Sequence, residues 1–532
     1  MFKPSSAEST FHQMVESRYA VGLSLYMYHN VRSDQAVSLL NRCGAGVSYD
    51  RVTKICNNIA SIVSQNIKDY GIYVPPGLMK NKRNRASMDN IDKKVDTPDG
   101  KGSFHGTAIG VYQPSGVGET IVDPVRTFAH NSTSGIGDVP ATVIERDTCT
   151  IEGSPKPRTS PHYPAYKMGQ YDDECRQAQT NDVAWMLARF CCRDTTILPG
   201  DDSATPGLGQ MNSVATQDED VEAQLVSQEV KQPVALWSAY NSMARPKDAT
   251  AVIDNVFGLP IIKAPAHEWA TLVTALNQLT KLNELVSGPE AKLLVTLDMD
   301  LYKRALKVEH LEPQYKGKWM LCPGAFHTVL CSLRCLGRTI EGSGLDEAWQ
   351  EADLYGSVTT SQIINGSHHN RVMQAHEITL QALFDLWMEA FFEENPGLRI
   401  SPQTSVDKLT EACRAQKDVY QAHRTFLFEL EAMEIEKLLH EFDESRNEQP
   451  MYQWARMYMR QVMVLLQFQR ATREGNWFLY LGALEKLCIY FFAYNRLDYA
   501  QNISEYIARM HSLENGDRDT WEEFLRETSL SL

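Results

Sequence analysis

Two widely separated stretches carry aspartates in positions that suit metal-assisted phosphate chemistry. In "RASMDNIDKKVDTPDGKGSFHGTAIGVYQ", residues 85–113, Asp89 and Asp92 precede a charged, glycine-containing turn. Some two hundred positions on, Asp298 closes the apolar run "KLLVTLD", with Asp300 two residues later. Mg²⁺ takes hard oxygen ligands and is held by one or two carboxylates together with substrate phosphates. Two such ions can clamp the attacking and leaving oxygens of phosphoryl transfer. Asp89, Asp92 and Asp298 are therefore the candidate catalytic and Mg²⁺-binding residues. Taken singly, each also reads as a turn residue or as the cap of a following helix.

The neighbours of these acids sharpen the reading toward nucleic acid. "MKNKRNR" places Lys80, Lys82, Arg83 and Arg85 just ahead of Asp89, either as a phosphate-contacting edge or as a solvated linker. His105 in "SFHGTA" and His327 in "PGAFHTV" each follow Phe among small residues, where a ring can touch a phosphate or simply sit in a core. Cys322, Cys331 and Cys335 beside His327 lack the tight pair spacing of structural zinc sites and read as core cysteines. His368, His369 and His376 read the same way. Phosphate-cradling P-loops, dinucleotide fingerprints, nucleophile elbows and H-E-x-x-H are all absent.

Local patterns indicate the elements that must position these residues. Helical spacing dominates residues 1–75, with Ser48 as a cap and Gly71 as a stop for one helix, and Pro75-Pro76 as a break. Residues 85–115 read as a hairpin. From 116 to 232, Pro, Gly, Ser, Thr and Asp prevail, and the segment reads as an irregular, partly disordered insertion around the island "NDVAWMLARFCC". Within 233–340, a helix ends at Gly288, "LLVTL" forms a strand expected to be buried on both faces, and "KWMLCPGAFHTVL" repeats strand, turn and helix from Ala325. Residues 345–532 are a succession of amphipathic helices. The expected class is α+β: mostly helical, with a split mixed-sheet core in 85–115 and 292–340.

A chain of 532 residues has room for several domains, and 43% hydrophobic with 22% charged residues is ordinary for a globular protein. The net charge of −15 excludes a surface that is basic throughout, while leaving room for a local basic groove. The 11 scattered cysteines and the polar start "MFKPSSAEST" point to an intracellular protein, nuclear or cytoplasmic. "WFLYLGALEKLCIYFFAY" is the greasiest run, but Glu485 and Lys486 at its centre argue for a buried helix and against a membrane span.

The blocks "MDNIDKK…GKGSFHGTAIGVYQ", "LWSAYNSM", "VTLDMDLYKRALKV", "MLCPGAFHTVLCSLRCLGRTIEGSGL", "GSHHNRVMQAHEITLQAL" and "REGNWFLYLGALEKLCIYFFAYNRLDYAQNISEYIARM" resemble, in order, those of a widespread, multi-copy, largely uncharacterised family associated with mobile elements in animal genomes. More loosely, the order of elements is similar to RNase H-like (DDE, hAT-like) DNA transposases. That likeness implies a first Asp on the opening strand of a hairpin (Asp89 or Asp92), a second ending a later buried strand (Asp298), and a helical insertion before a final Glu. It implies DNA as partner and Mg²⁺ as cofactor. The segment expected to carry the third acid falls beyond Leu532, and Glu341 and Glu377 are unmarked substitutes. The expectation is therefore a transposase-derived, nucleic-acid-associated protein that is inactive or catalytically incomplete. The alternative is a non-enzymatic scaffold that meets protein partners through its helical C-terminal region.

Overall fold

The computed structural model describes residues 17–31, 33–95, 102–123, 147, 168–192, 240, 254–398, 435–446, 448–517, 520–522 and 525. Along the chain run α1 (Arg18–Asn30), α2 (Asp34–Arg42), α3 (Tyr49–Tyr70), β1 (Arg85–Val95), β2 (Gly102–Pro114), α4 (Asp172–Cys192) and β3 (Asp254–Gly258). There follow α5 (Trp269–Ser287), β4 (Leu293–Leu297), α6 (Met299–Leu311), β5 (Trp319–Pro323), α7 (Ala325–Ile340), α8 (Leu345–Glu351) and α9 (Ser357–Ile364). The last are α10 (His369–Glu394), α11 (Ile435–Glu444), α12 (Pro450–Glu474), α13 (Trp477–Ala493) and α14 (Leu497–Gly516). The architecture is α+β, mostly helical with one five-stranded mixed sheet. No helix among the described residues is long and apolar enough to cross a membrane.

The chain divides into two compact units, Met1–Pro157 with Ile253–Cys322, and Arg158–Val252 with Pro323–Leu532. The first holds the sheet, in the order β3-β2-β1-β4-β5. β1 and β2 form a long antiparallel hairpin, β3 adds antiparallel to β2, and β4 lies parallel to β1. Ala86 and Met88 of β1, Ile109 and Val111 of β2, and Val295 and Leu297 of β4 line one face and are buried. This is the period-2 burial of a sheet packed on one side. β4 departs from expectation here, since Leu294 and Thr296 on its second face are only partly covered. The strand buried at every position is β5.

Side-chain amides tie the irregular segments of this unit to its regular ones. The Asn66 amide of α3 donates to the Val74 carbonyl (2.9 Å) and accepts its N–H (2.7 Å). Gln113 of β2 does the same for Met79, at 2.9 and 2.8 Å. Each copies the two bonds that a strand partner would give and so satisfies buried backbone groups where the ladder has stopped. α3 keeps its predicted ends: the Ser48 hydroxyl accepts the Arg51 N–H at 3.2 Å, and Gly71 closes the helix at φ 73°.

The second unit is helical throughout its described length. α7 packs against α9 and α12, and α12 also packs on α10 and α13. Gly337 lets α7 approach closely, because a Cβ there would lie 1.8 Å from the Ile364 carbonyl oxygen. The "NDVAWMLARFCC" island is part of α4, whose 21 residues pack on α10, α12 and α13. The rest of the insertion expected over 116–232 falls largely outside the described residues. Asp182 of α4 is the centre of a buried polar cluster. It takes the Arg470 guanidinium at 2.5 Å, the Tyr240 hydroxyl at 2.7 Å and the Gln467 amide at 3.2 Å. Glu485, in the greasy run that forms α13, is buried against His511 Nε2 at 3.0 Å and also accepts the Gly169 N–H at 2.9 Å.

Candidate functional site

The parallel pairing of β1 with β4 runs Arg85↔Leu294, Ala86↔Val295, Ser87↔Thr296, Met88↔Leu297. One step further along that register stand Asp89 and Asp298. Neighbouring strands are about 5 Å apart, and side chains alternate between faces. Met88 and Leu297 are buried, while Asp89, the next residue of β1, is exposed and Asp298, the first residue past β4, is half-buried at the start of α6. Asp92 sits three residues further along β1, opposite His105 of β2 and beyond the last β1–β4 pair. Its side chain lies outside the described residues. The register thus separates the two hairpin acids: Asp89, and not Asp92, follows directly on the last β1–β4 pair, as Asp298 does.

Asp298 also has a structural task. Its Oδ1 accepts the Leu301 N–H at 2.7 Å and caps α6, so the capping role considered from sequence is real. It engages one carboxylate oxygen. Asp89 Oδ1 accepts the Asn90 N–H at 2.8 Å. Asp300 is drawn to its own helix by Arg304 Nε (2.8 Å) and Lys303 Nζ (3.9 Å) and does not join the pair. Carboxylate oxygens are the hard ligands that a Mg²⁺ ion takes, together with water or phosphate. No group of three or more His, Cys, Asp and Glu residues that could hold a metal occurs among the described residues.

The basic run is only partly available to a phosphate. Arg85 is 8% exposed, its guanidinium held by Asp254 of β3 at 2.5 Å, so it serves the sheet and not a phosphate contact. Lys80 pairs with Glu119 at 2.5 Å, an exposed and therefore weak contact that a phosphate can displace. Lys82 and Arg83 are partly exposed. His105 is exposed on β2, in the same unit as Asp89. His327 lies in the first turn of α7, in the other unit.

Glu341 and Glu377 both belong to the second unit, Glu341 in an ion pair with Arg338 at 2.5 Å. Burial pushes the Glu377 carboxyl up to about 7. Cys322, Cys331 and Cys335 are buried, and a hydrogen bond between Cys331 and Cys335 raises the first thiol's pKa and lowers the second's. His376 is buried with Nδ1 at 2.7 Å from the Tyr458 hydroxyl.

Another segment crosses the hairpin next to Asp89. The Asn90 side chain accepts the Ala266 N–H at 2.7 Å, and Thr107 bridges to Ile262 and bonds the Ala264 carbonyl at 2.8 Å. This lays residues 262–266 along the hairpin and brings the exposed His267 and Glu268 up beside the neighbour of Asp89. His267 stands in no motif and Glu268 only opens the amphipathic run of α5, so it is the crossing of the chain that identifies them.

No curated protein and no solved structure matches the chain. Residues 236–531, more than half of the sequence, match one family, and the chain belongs to it: the family described as domain of unknown function (DUF8702).

Proposed function

We propose that this is a transposase-derived protein with an RNase H-like core, in which Asp89 and Asp298 hold a Mg²⁺ ion against a nucleic-acid phosphate. The reading is supported by one observation, the β1–β4 register, whose last pair, Met88↔Leu297, immediately precedes both acids. It agrees with the order of elements in such transposases, where the first acid lies on the opening strand of a hairpin and the second ends a later buried strand. The cation would supply charge neutralisation at the phosphate, and Lys82, Arg83 and His105 would contact the backbone. On this reading the function is binding of DNA, and strand cleavage or transfer would need a third acid, which does not join them among the described residues. Fluorescence anisotropy with a DNA duplex tests this. Affinity should fall steeply with added salt, should improve with Mg²⁺ over EDTA, and should lose that improvement in Asp298→Asn. Absence of binding at low salt, or a Mg²⁺ effect unchanged in the variant, removes the proposal.

The second reading is a non-enzymatic helical scaffold, favoured by the cap that Asp298 makes to α6. On that reading Asp298→Asn leaves every binding property unchanged, since Asn caps a helix about as well as Asp.

A further inference from the structure

A pocket of about 260 Å³ opens in the helical unit between α4, α10, α11 and α12. Its apolar lining includes Val183, Phe384, Met459 and Met463. Its polar lining is unusual for a chain of net charge −15, because three arginines, Arg176, Arg456 and Arg460, face one carboxylate, Asp443.

That carboxylate is already compensated. Arg456 grips Asp443 through Nη2 at 2.8 Å and Nε at 3.1 Å, and the Tyr452 hydroxyl donates to it as well. The guanidinium of Arg456 lies 3.6 Å from the centre of the Trp387 ring, and the Trp387 indole N–H donates to Tyr452 at 2.9 Å. These four residues form a closed wall with no charge to spare. The positive charge left over belongs to Arg460, one turn along α12, and to Arg176 of α4.

Both arginines are exposed and neither is committed. Arg460 has no ion pair among the described residues. Among the described residues Arg176 meets only Asp173, at 3.3 Å, with both side chains more than two-thirds in solvent, and such a pair is worth little. Arg460 stands close enough to Arg456 to depress its pKa further, beyond the effect of burial. Like charges gathered at the mouth of an apolar pocket are relieved by a bound anion, and the planar guanidinium suits a carboxylate or phosphate.

We propose that this pocket binds a small amphipathic anion, an aryl or short acyl body with one carboxylate or phosphate head. The body lies on Phe384, Met459 and Met463, and the head sits between Arg176 and Arg460. The volume falls below the ~300–1,000 Å³ usual for drug-sized ligands, so the body is no larger than about one ring. The site lies wholly in the helical unit and does not depend on the Asp89–Asp298 pair.

Calorimetry on the full chain tests it with four probes: phenyl phosphate, benzoate, inorganic phosphate and benzyl alcohol. Phenyl phosphate or benzoate should bind at least tenfold more tightly than both inorganic phosphate and benzyl alcohol. The stronger of the two identifies the head group. Arg460→Glu should weaken that binding at least tenfold, while Arg460→Lys should keep most of it. Met463→Trp, which fills the pocket from its apolar lining, should abolish binding while leaving the thermal transition in place. The proposal is overturned if neither aryl anion binds at millimolar concentration, if inorganic phosphate binds as well as phenyl phosphate, or if Arg460→Glu binds as the wild type does. Since Arg460 is exposed, its variants fold and the comparison stands even if Met463→Trp does not.

Discussion

If Asp89 and Asp298 face each other across the β1–β4 pair, their charges repel in the absence of a cation, and a double-mutant cycle with Asp89→Asn and Asp298→Asn measures that repulsion. At a separation of about 5 Å, two unit charges interact by ~0.8 kcal/mol at the dielectric of water and ~3 kcal/mol at an effective dielectric of 20. Asp89 is exposed, so a coupling of about 1 kcal/mol is expected. Asn preserves the cap to Leu301, which keeps the helix-end contribution nearly constant across the cycle. In Mg²⁺-free buffer, each single substitution should therefore stabilise β1 and β4, and the double should stabilise them no more than either single. Adding Mg²⁺ at ten times its dissociation constant should raise the wild type by about 1.4 kcal/mol and each variant by less. Native-state hydrogen exchange of peptides covering β1 and β4 reads this local stability. Strictly additive substitutions, or a Mg²⁺ response as large in the variants as in the wild type, would refute the side-by-side placement of the two charges.

Two further outcomes concern the helical unit. Asp182→Ala leaves the Arg470 guanidinium, 5% exposed, without its counter-charge, and should cost about 3–5 kcal/mol in urea unfolding. A second substitution, Arg470→Met, should return part of that loss. His376 and Glu377 act oppositely with pH. Burial pushes His376 down to about 3, so its stabilising effect is present above the unfolded value of 6.5 and is lost as pH falls from there. Burial pushes Glu377 up from 4.5 to about 7, so its effect is present below 4.5 and is lost as pH rises through 7. Between pH 4.5 and 6.5 the two slopes oppose and largely cancel. Glu377→Gln should expose the histidine slope, a loss of about 1 kcal/mol per pH unit on acidification, in unfolding midpoints measured across that range. An unchanged pH profile in the variant would show that the buried carboxyl does not titrate as described.

The amino-acid sequence alone determined the features that depend on near neighbours. Ser48 and Gly71 bound α3, Gly288 ends α5, Pro323-Gly324 separates β5 from α7, and the helical run beyond Gly344 follows the 3.6-residue spacing of its apolar positions. Each such signal acts within a turn of chain, through a cap, a left-handed glycine or one apolar face, and so is written locally. The class, mostly helical around a mixed sheet, follows from those elements.

What the tertiary structure decided is which strands lie side by side. Pairing Arg85 with Leu294 joins segments about two hundred residues apart, and burial of Ala86, Met88, Val295 and Leu297 on a common face sets the register, because a shift of one residue would turn that apolar face to solvent. That register ends at Met88↔Leu297, so Asp89 and Asp298, and not Asp92, follow directly on its last pair. Long-range pairing likewise turned Arg85 from a basic-run residue into the partner of Asp254, and gave Glu485, a charge in an apolar run, its place against His511. A buried ionisable group needs a polar partner in space, and its position along the chain carries no trace of where that partner will be.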